Sequence, residues 1–141
     1  MKNKTTGARV LLVCSSIFAS MFAPAALADL YVIANSSLKL STEEIRDVFT
    51  GEKQLADGTK LTPFDNASAQ AEFLKSVLTL DLAKYNALWT KKSFRDGLTA
   101  PEVKGNDSEV AFAVKRDPGG IGYVTSTNGL AALGLRIVQK Y

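Results

Sequence analysis

The sequence predicts an α/β fold, helices flanking a mostly parallel central sheet, and three stretches carry that reading. Leu30 to Ala34 is a near-continuous apolar run, the form of a strand covered on both faces. Ser41-Thr42-Glu43-Glu44 places a glutamate three residues after a serine, a capping box, ahead of Ile45, Val48 and Phe49 at helical spacing. The segment "RDPGGIGYV", Arg116 to Val124, reads as a helix stop, a tight turn and a strand start: Pro118 cannot continue a helix, and Gly119 and Gly120 allow backbone angles that other residues resist. Strands and helices alternating with short connections give this class.

In chain order, residues 1–28 have the three parts of a secretory signal peptide. Lys2, Lys4 and Arg9 form the positive end, Val10 to Phe22 the apolar run, and Ala26-Leu27-Ala28 the small residues read by a signal peptidase, so cleavage is expected before Asp29. The run contains Ser15, Ser16 and Ser20 and is shorter than the roughly 20 apolar residues of a spanning helix. Cys14 follows Leu12-Val13 rather than the small residue that precedes a lipidated cysteine, and is expected to leave with the leader. Residues 29–141 are then one exported, periplasmic α/β domain.

The first strand ends at Asn35-Ser36-Ser37, and Gly51 is placed to close the helix after it. Asp57-Gly58 marks a turn, and Lys60 to Phe64 is expected as a second strand, with Pro63 a weakness in it. Strand, helix and strand in that order predict a right-handed parallel crossover. Phe73, Leu74, Val77 and Leu78 share a face of the next helix, with Asn66 or Ser68 as its cap. Leu82, Tyr85, Leu88 and Trp89 stripe another from Asp81 to about Lys92, and Ser93 to Gly105 shows no period. Asn106 or Asp107 caps the last helix, whose apolar face is Val110, Ala113 and Val114. Ile121 to Val124 enters the sheet, and Leu135 to Val138 adds a final strand.

Composition excludes much chemistry. The chain has no histidine, and its one cysteine lies in the leader. A disulfide, a thiolate nucleophile, a Ser-His-Asp triad and an imidazole metal ligand are therefore ruled out for residues 29–141, and the expectation is a protein without catalytic residues, metal or cofactor. Three of the 17 basic residues sit in the leader, which balances the remainder against the 14 acidic ones. A neutral domain gives no electrostatic case for nucleic acid.

The run "LSTEEIRDVFTGE", then "DGTKLTPFD", "YNALW", "SFRDG" and "DPGGIGYV" resembles the phosphate ABC transporter substrate-binding protein family, in its short single-lobe form. The resemblance spans about Asp29 to Val124 and implies a single lobe of a type II periplasmic-binding-protein fold. It also implies a solute-binding role in transport, a small oxyanion such as phosphate as ligand, and a membrane permease or sensor as partner. Full-length phosphate binders of this family carry an arginine and a Ser-Gly-Thr stretch where this chain has Asp65-Asn66-Ala67-Ser68-Ala69-Gln70. The alternative is an interaction module for another periplasmic protein that kept the lobe and lost the ligand.

Ligands of open α/β sheets bind outside the carboxyl ends of the strands. The polar residues expected there are Asn35, Ser36 and Ser37 after the first strand, Asp65, Asn66 and Ser68 after the second, and Thr125 and Ser126 after "IGYV". Their hydroxyls and amides suit a small anion, and Asp65 suits a protonated one that donates to it; equally, Asn and Ser after strands are ordinary turn residues. Trp89 and Phe94 are either stacking surfaces or core, Tyr123 either core or rim. Lys91, Lys92 and Arg95 are either a contact for an acidic partner or a solvated helix end. A homodimer would bring two lobes face to face.

Overall fold

The computed structural model describes residues 28–141, so the expected leader lies, but for Ala28, outside the described residues. The strands are β1 (Tyr31–Asn35), β2 (Leu55–Ala56), β3 (Thr59–Lys60), β4 (Thr62–Asn66), β5 (Glu102–Lys104), β6 (Gly120–Val124) and β7 (Leu135–Lys140). The α-helices are α1 (Thr42–Phe49), α2 (Gln70–Phe73), α3 (Leu82–Asp96) and α4 (Asp107–Arg116), and a π-helical turn over Leu74–Leu78 continues α2.

One five-stranded sheet has the order β5-β4-β6-β1-β7. β4 runs parallel to both β5 and β6, whereas β1 runs antiparallel to β6 and to β7. Four strands thus point one way and β1 alone points back. The mostly parallel sheet is as predicted, but the crossover from β1 through α1 to β4 is not: β6 lies between the two strands and their directions are opposed.

Each face of the sheet has its own core, because successive strand side chains alternate. Val32, Ala34, Ile121 and Tyr123 pack on α1, the α2 segment and α3. Ile33, Phe64 and Val124 pack on α4. On the first face Phe73 stacks on Tyr123 with ring centroids 3.9 Å apart, and Phe49 meets both rings edge-on.

Local chemistry explains most boundaries. Ser41 and Glu44 form the predicted capping box of α1, and Gly51, at φ +74°, follows it in the left-handed region. The strand expected over Lys60 to Phe64 divides in two: Thr59 and Lys60 pair with β2 across the Asp57-Gly58 turn, and β4 starts at Thr62. Pro63 is tolerated inside β4 for a positional reason. The Thr62 N–H donates toward β6, so the nitrogen of Pro63 faces β5, whose pairing begins only at Phe64. No side chain caps α2, since Asn66 and Ser68 bond each other instead.

α3 runs a full turn beyond its expected end, to Asp96, capped by the Asp81 carboxylate on the Lys84 N–H. Leu82 departs from its stripe and is half exposed. β5 lies within the stretch that shows no period in sequence, and β7 extends to Lys140. Asn106 caps α4. Neither Gly119 nor Gly120 has positive φ, so conformational freedom is not what these glycines supply. A Cβ on Gly119 would lie 1.8 Å from the carbonyl oxygen of Lys60, and one on Gly120 2.6 Å from that of Val114. The turn needs close backbone approach.

Candidate functional site

The direction of β1 divides the predicted site. The carboxyl end of β1 lies beside the amino end of β6, because Ala34 pairs with Ile121 and Tyr31 with Val124. Asn35, Ser36 and Ser37 therefore sit at the opposite end of the sheet from Asp65, Asn66, Ser68, Thr125 and Ser126, and the grouping of all eight is corrected. The Asn35 amide donates to the carbonyls of Val114, Lys115 and Asp117, and the Ser37 hydroxyl to Asn35 Oδ1 and the Pro118 carbonyl, which fastens the turn between α4 and β6.

At the other end, Asp65 stands next to last in β4 with its carboxylate turned toward α3. The Tyr123 hydroxyl donates to Oδ1 at 3.0 Å, the Tyr85 hydroxyl to Oδ2 at 3.0 Å, and the Gln70 amide to Oδ2 at 3.3 Å. All these donors are neutral, and Asp65 takes part in no ion pair among the described residues. Burial dominates its titration and raises its pKa from 3.8 to about 6, against the lowering effect of the three hydrogen bonds. The same burial, with the Asp65 charge beside them, pushes the hydroxyls of Tyr85 and Tyr123 far above the usual tyrosine range, so both remain donors.

A cleft of about 520 Å³ opens over this cluster between α3 and the segment leading into β5. Asp65 and Gln70 line its floor, Tyr85 and Trp89 one wall, and Pro101 and Val103 the other. Trp89 itself is core, its indole N–H donating to the Phe49 carbonyl, and Tyr123 is fully buried. Phe94 is neither core nor stacked: it is 96% exposed at the cleft rim. The basic cluster separates as well. Lys92 is buried against Glu52, Arg95 pairs with Asp96, and Lys91 is exposed.

The remaining predicted residues bind each other through a group the sequence reading placed only as a possible cap. Asp107, in the first turn of α4, accepts through Oδ2 from the backbone N–H groups of Thr125 and Ser126 at 3.0 Å and from the Thr125 hydroxyl at 2.9 Å. Its Oδ1 accepts from the Asn66 amide at 2.7 Å. Asn66 also donates to the Tyr123 carbonyl, and its own oxygen holds the N–H and hydroxyl of Ser68. The donors of Asn66, Thr125 and the Ser126 backbone expected to grip an anion are thus spent on a carboxylate of the chain itself, and those of Ser68 on Asn66. Tyr85, Gln70 and Asp107 were missed as site residues because only folding brings them to Asp65 and Asn66; a tyrosine inside an otherwise leucine-rich stripe was the one local signal.

Comparison with solved structures bears on this arrangement. The chain matches the crystal structure of PstS from Borrelia burgdorferi with a TM-score of 0.58 at 18% identity, over 79% of this chain and 47% of that one. The fold is a single lobe of the periplasmic-binding-protein type. The match spans about half of the PstS chain, and at that identity the likeness is one of fold. No family model and no curated protein matches the sequence. The described residues hold no group of three or more acidic, cysteine or histidine side chains placed to bind a metal ion, and no helix long and apolar enough to cross a membrane.

Proposed function

We propose that this chain is a non-catalytic, periplasmic solute-binding protein that holds a small oxyanion carrying its own proton, such as hydrogen phosphate, in the cleft over Asp65. The observation that carries this reading is a buried carboxylate at the carboxyl end of a parallel strand, on the floor of an open cleft, with only neutral donors around it. Such a group accepts a hydrogen bond from a protonated ligand and repels a fully ionised one. A ligand reaching Oδ2 would displace the Gln70 amide, which donates to it at 3.3 Å. The solute then passes unchanged to a membrane permease or sensor.

Calorimetry with phosphate and with sulfate near neutral pH tests it. One lobe contacts the ligand from one side and no arginine lines the cleft, so the expected dissociation constant for phosphate is weaker than about 10 µM. Sulfate, which carries no proton, should bind at least about tenfold more weakly. Phosphate binding should disappear in Asp65→Ala. If neither anion binds, the solute reading fails. A second reading then stands, an interaction module for another periplasmic protein, favoured by Asp107 occupying the backbone donors of Thr125 and Ser126.

A further inference from the structure

We infer that the cleft over Asp65 takes a second class of solute, a small primary amine with an apolar or aromatic body, held by its ammonium group on the Asp65 carboxylate. Among the described residues that line the cleft, Asp65 alone carries a charge; no lysine or arginine stands in the walls. The carboxylate is 1% exposed, its partners are the neutral groups of Gln70, Tyr85 and Tyr123, and it takes part in no ion pair among the described residues. Near neutral pH it lies above its raised pKa of about 6 and is mostly ionised, a buried negative charge that a bound cation neutralises.

The walls suit the rest of such a molecule. Tyr85, Trp89 and Phe94 supply aromatic surface, and Pro101 and Val103 face them with aliphatic surface. Aromatic rings attract a nearby cation, and an apolar body gains by leaving water against walls of this kind. Phe94, 96% exposed at the rim, is the ring such a body would cover. The volume of about 520 Å³ lies within the range of small-ligand sites. An ammonium displacing the Gln70 amide from Oδ2 exchanges a neutral hydrogen bond for a charge-assisted one, about twice as strong. A lone carboxylate floor beneath aromatic and aliphatic walls is thus the complement of an alkyl- or arylammonium ion. The inference goes beyond the oxyanion reading: it shares the cleft and Asp65 with it but takes a ligand of opposite charge, and it stands whether or not phosphate binds.

Benzylamine, protonated near neutral pH, and benzyl alcohol, its neutral counterpart of similar shape, are the probes. Both are titrated in phosphate-free buffer by calorimetry and by the emission of Trp89, the single tryptophan, which stands in the cleft wall. Benzylamine should bind at least about tenfold more tightly than benzyl alcohol. Asp65→Asn should remove that preference, with a cooperative melt to show that the variant folds. Asn86, exposed on α3 at the cleft, gives a second test that leaves the core alone. Asn86→Lys should weaken benzylamine binding at least about threefold by like-charge repulsion, and Asn86→Glu should not weaken it. No binding of the amine, equal binding of amine and alcohol, a preference that survives Asp65→Asn, or the same response to Asn86→Lys and Asn86→Glu would each overturn the proposal. Phosphate titrated alone decides the oxyanion reading separately: phosphate binding without amine binding keeps that reading and overturns this inference, and amine binding without phosphate binding does the reverse.

Discussion

The Tyr123 hydroxyl stands 3.0 Å from Asp65 Oδ1, although 58 positions separate the two residues. That bond joins β6 to β4 at the end of the sheet where the cleft opens, and it is one of three neutral hydrogen bonds around a buried acid. Its energetics lead to the first two predictions.

Stability should fall as pH rises from about 4 to about 6. The folded Asp65 holds its proton more tightly than the unfolded chain does, so the native state binds more protons in that window and deprotonation favours unfolding. A rise of this size is worth up to about 3 kcal/mol by neutral pH. Denaturant melts across this range should show the slope in the wild type and lose it in Asp65→Asn. An equal slope in both proteins would remove Asp65 as its source.

Removing a donor should raise the Asp65 pKa further. Tyr123→Phe and Tyr85→Phe each delete a hydrogen bond to the charged form, and each should cost roughly 1–3 kcal/mol near neutral pH and less below pH 5. Chemical-shift titration of the Asp65 carboxyl carbon in both variants reads the shift directly.

Asp107→Ala should loosen the loop after β6. Three donors from Thr125 and Ser126, and the Asn66 amide, lose their acceptor together, with an expected cost of about 2–4 kcal/mol. Hydrogen exchange offers a local readout: the amides of Thr125 and Ser126 should exchange faster than those of β1. Unchanged protection there would mean that Asp107 does not hold the loop.

Gly119→Ala should destabilise more than Gly129→Ala. The first puts a Cβ 1.8 Å from the Lys60 carbonyl oxygen, where backbone must shift, at an expected cost of about 3 kcal/mol or more. The second meets open space and bears only the left-handed backbone penalty at φ +78°, about 1–2 kcal/mol. Thermal melts that reverse this order would show that the turn before β6 can relax.

Export should remove residues 1–28. Intact mass of the protein recovered from the periplasm should begin at Asp29; a mass that includes the first 28 residues, or a lipid on Cys14, contradicts the leader reading.

The sequence by itself determined the elements whose signals are local. The capping box at Ser41 and Glu44, the stop at Pro118, the helical stripe of Tyr85 and Trp89 and the apolar run of β1 each lie within a few residues, and each appears where those residues place it. What only the tertiary structure decided is strand direction and convergence. An apolar run fits a parallel or an antiparallel neighbour equally well, so nothing in Tyr31 to Asn35 tells that β1 runs against β6, and that one reversal carries Asn35, Ser36 and Ser37 to the far end of the sheet. Tyr85, Gln70 and Tyr123 reach Asp65 from three different elements, and Asp107 draws Asn66 from β4 and Thr125 and Ser126 from the loop after β6. Polar groups forced together by burial must satisfy one another, and which ones meet is settled by the packing of the sheet on its helices.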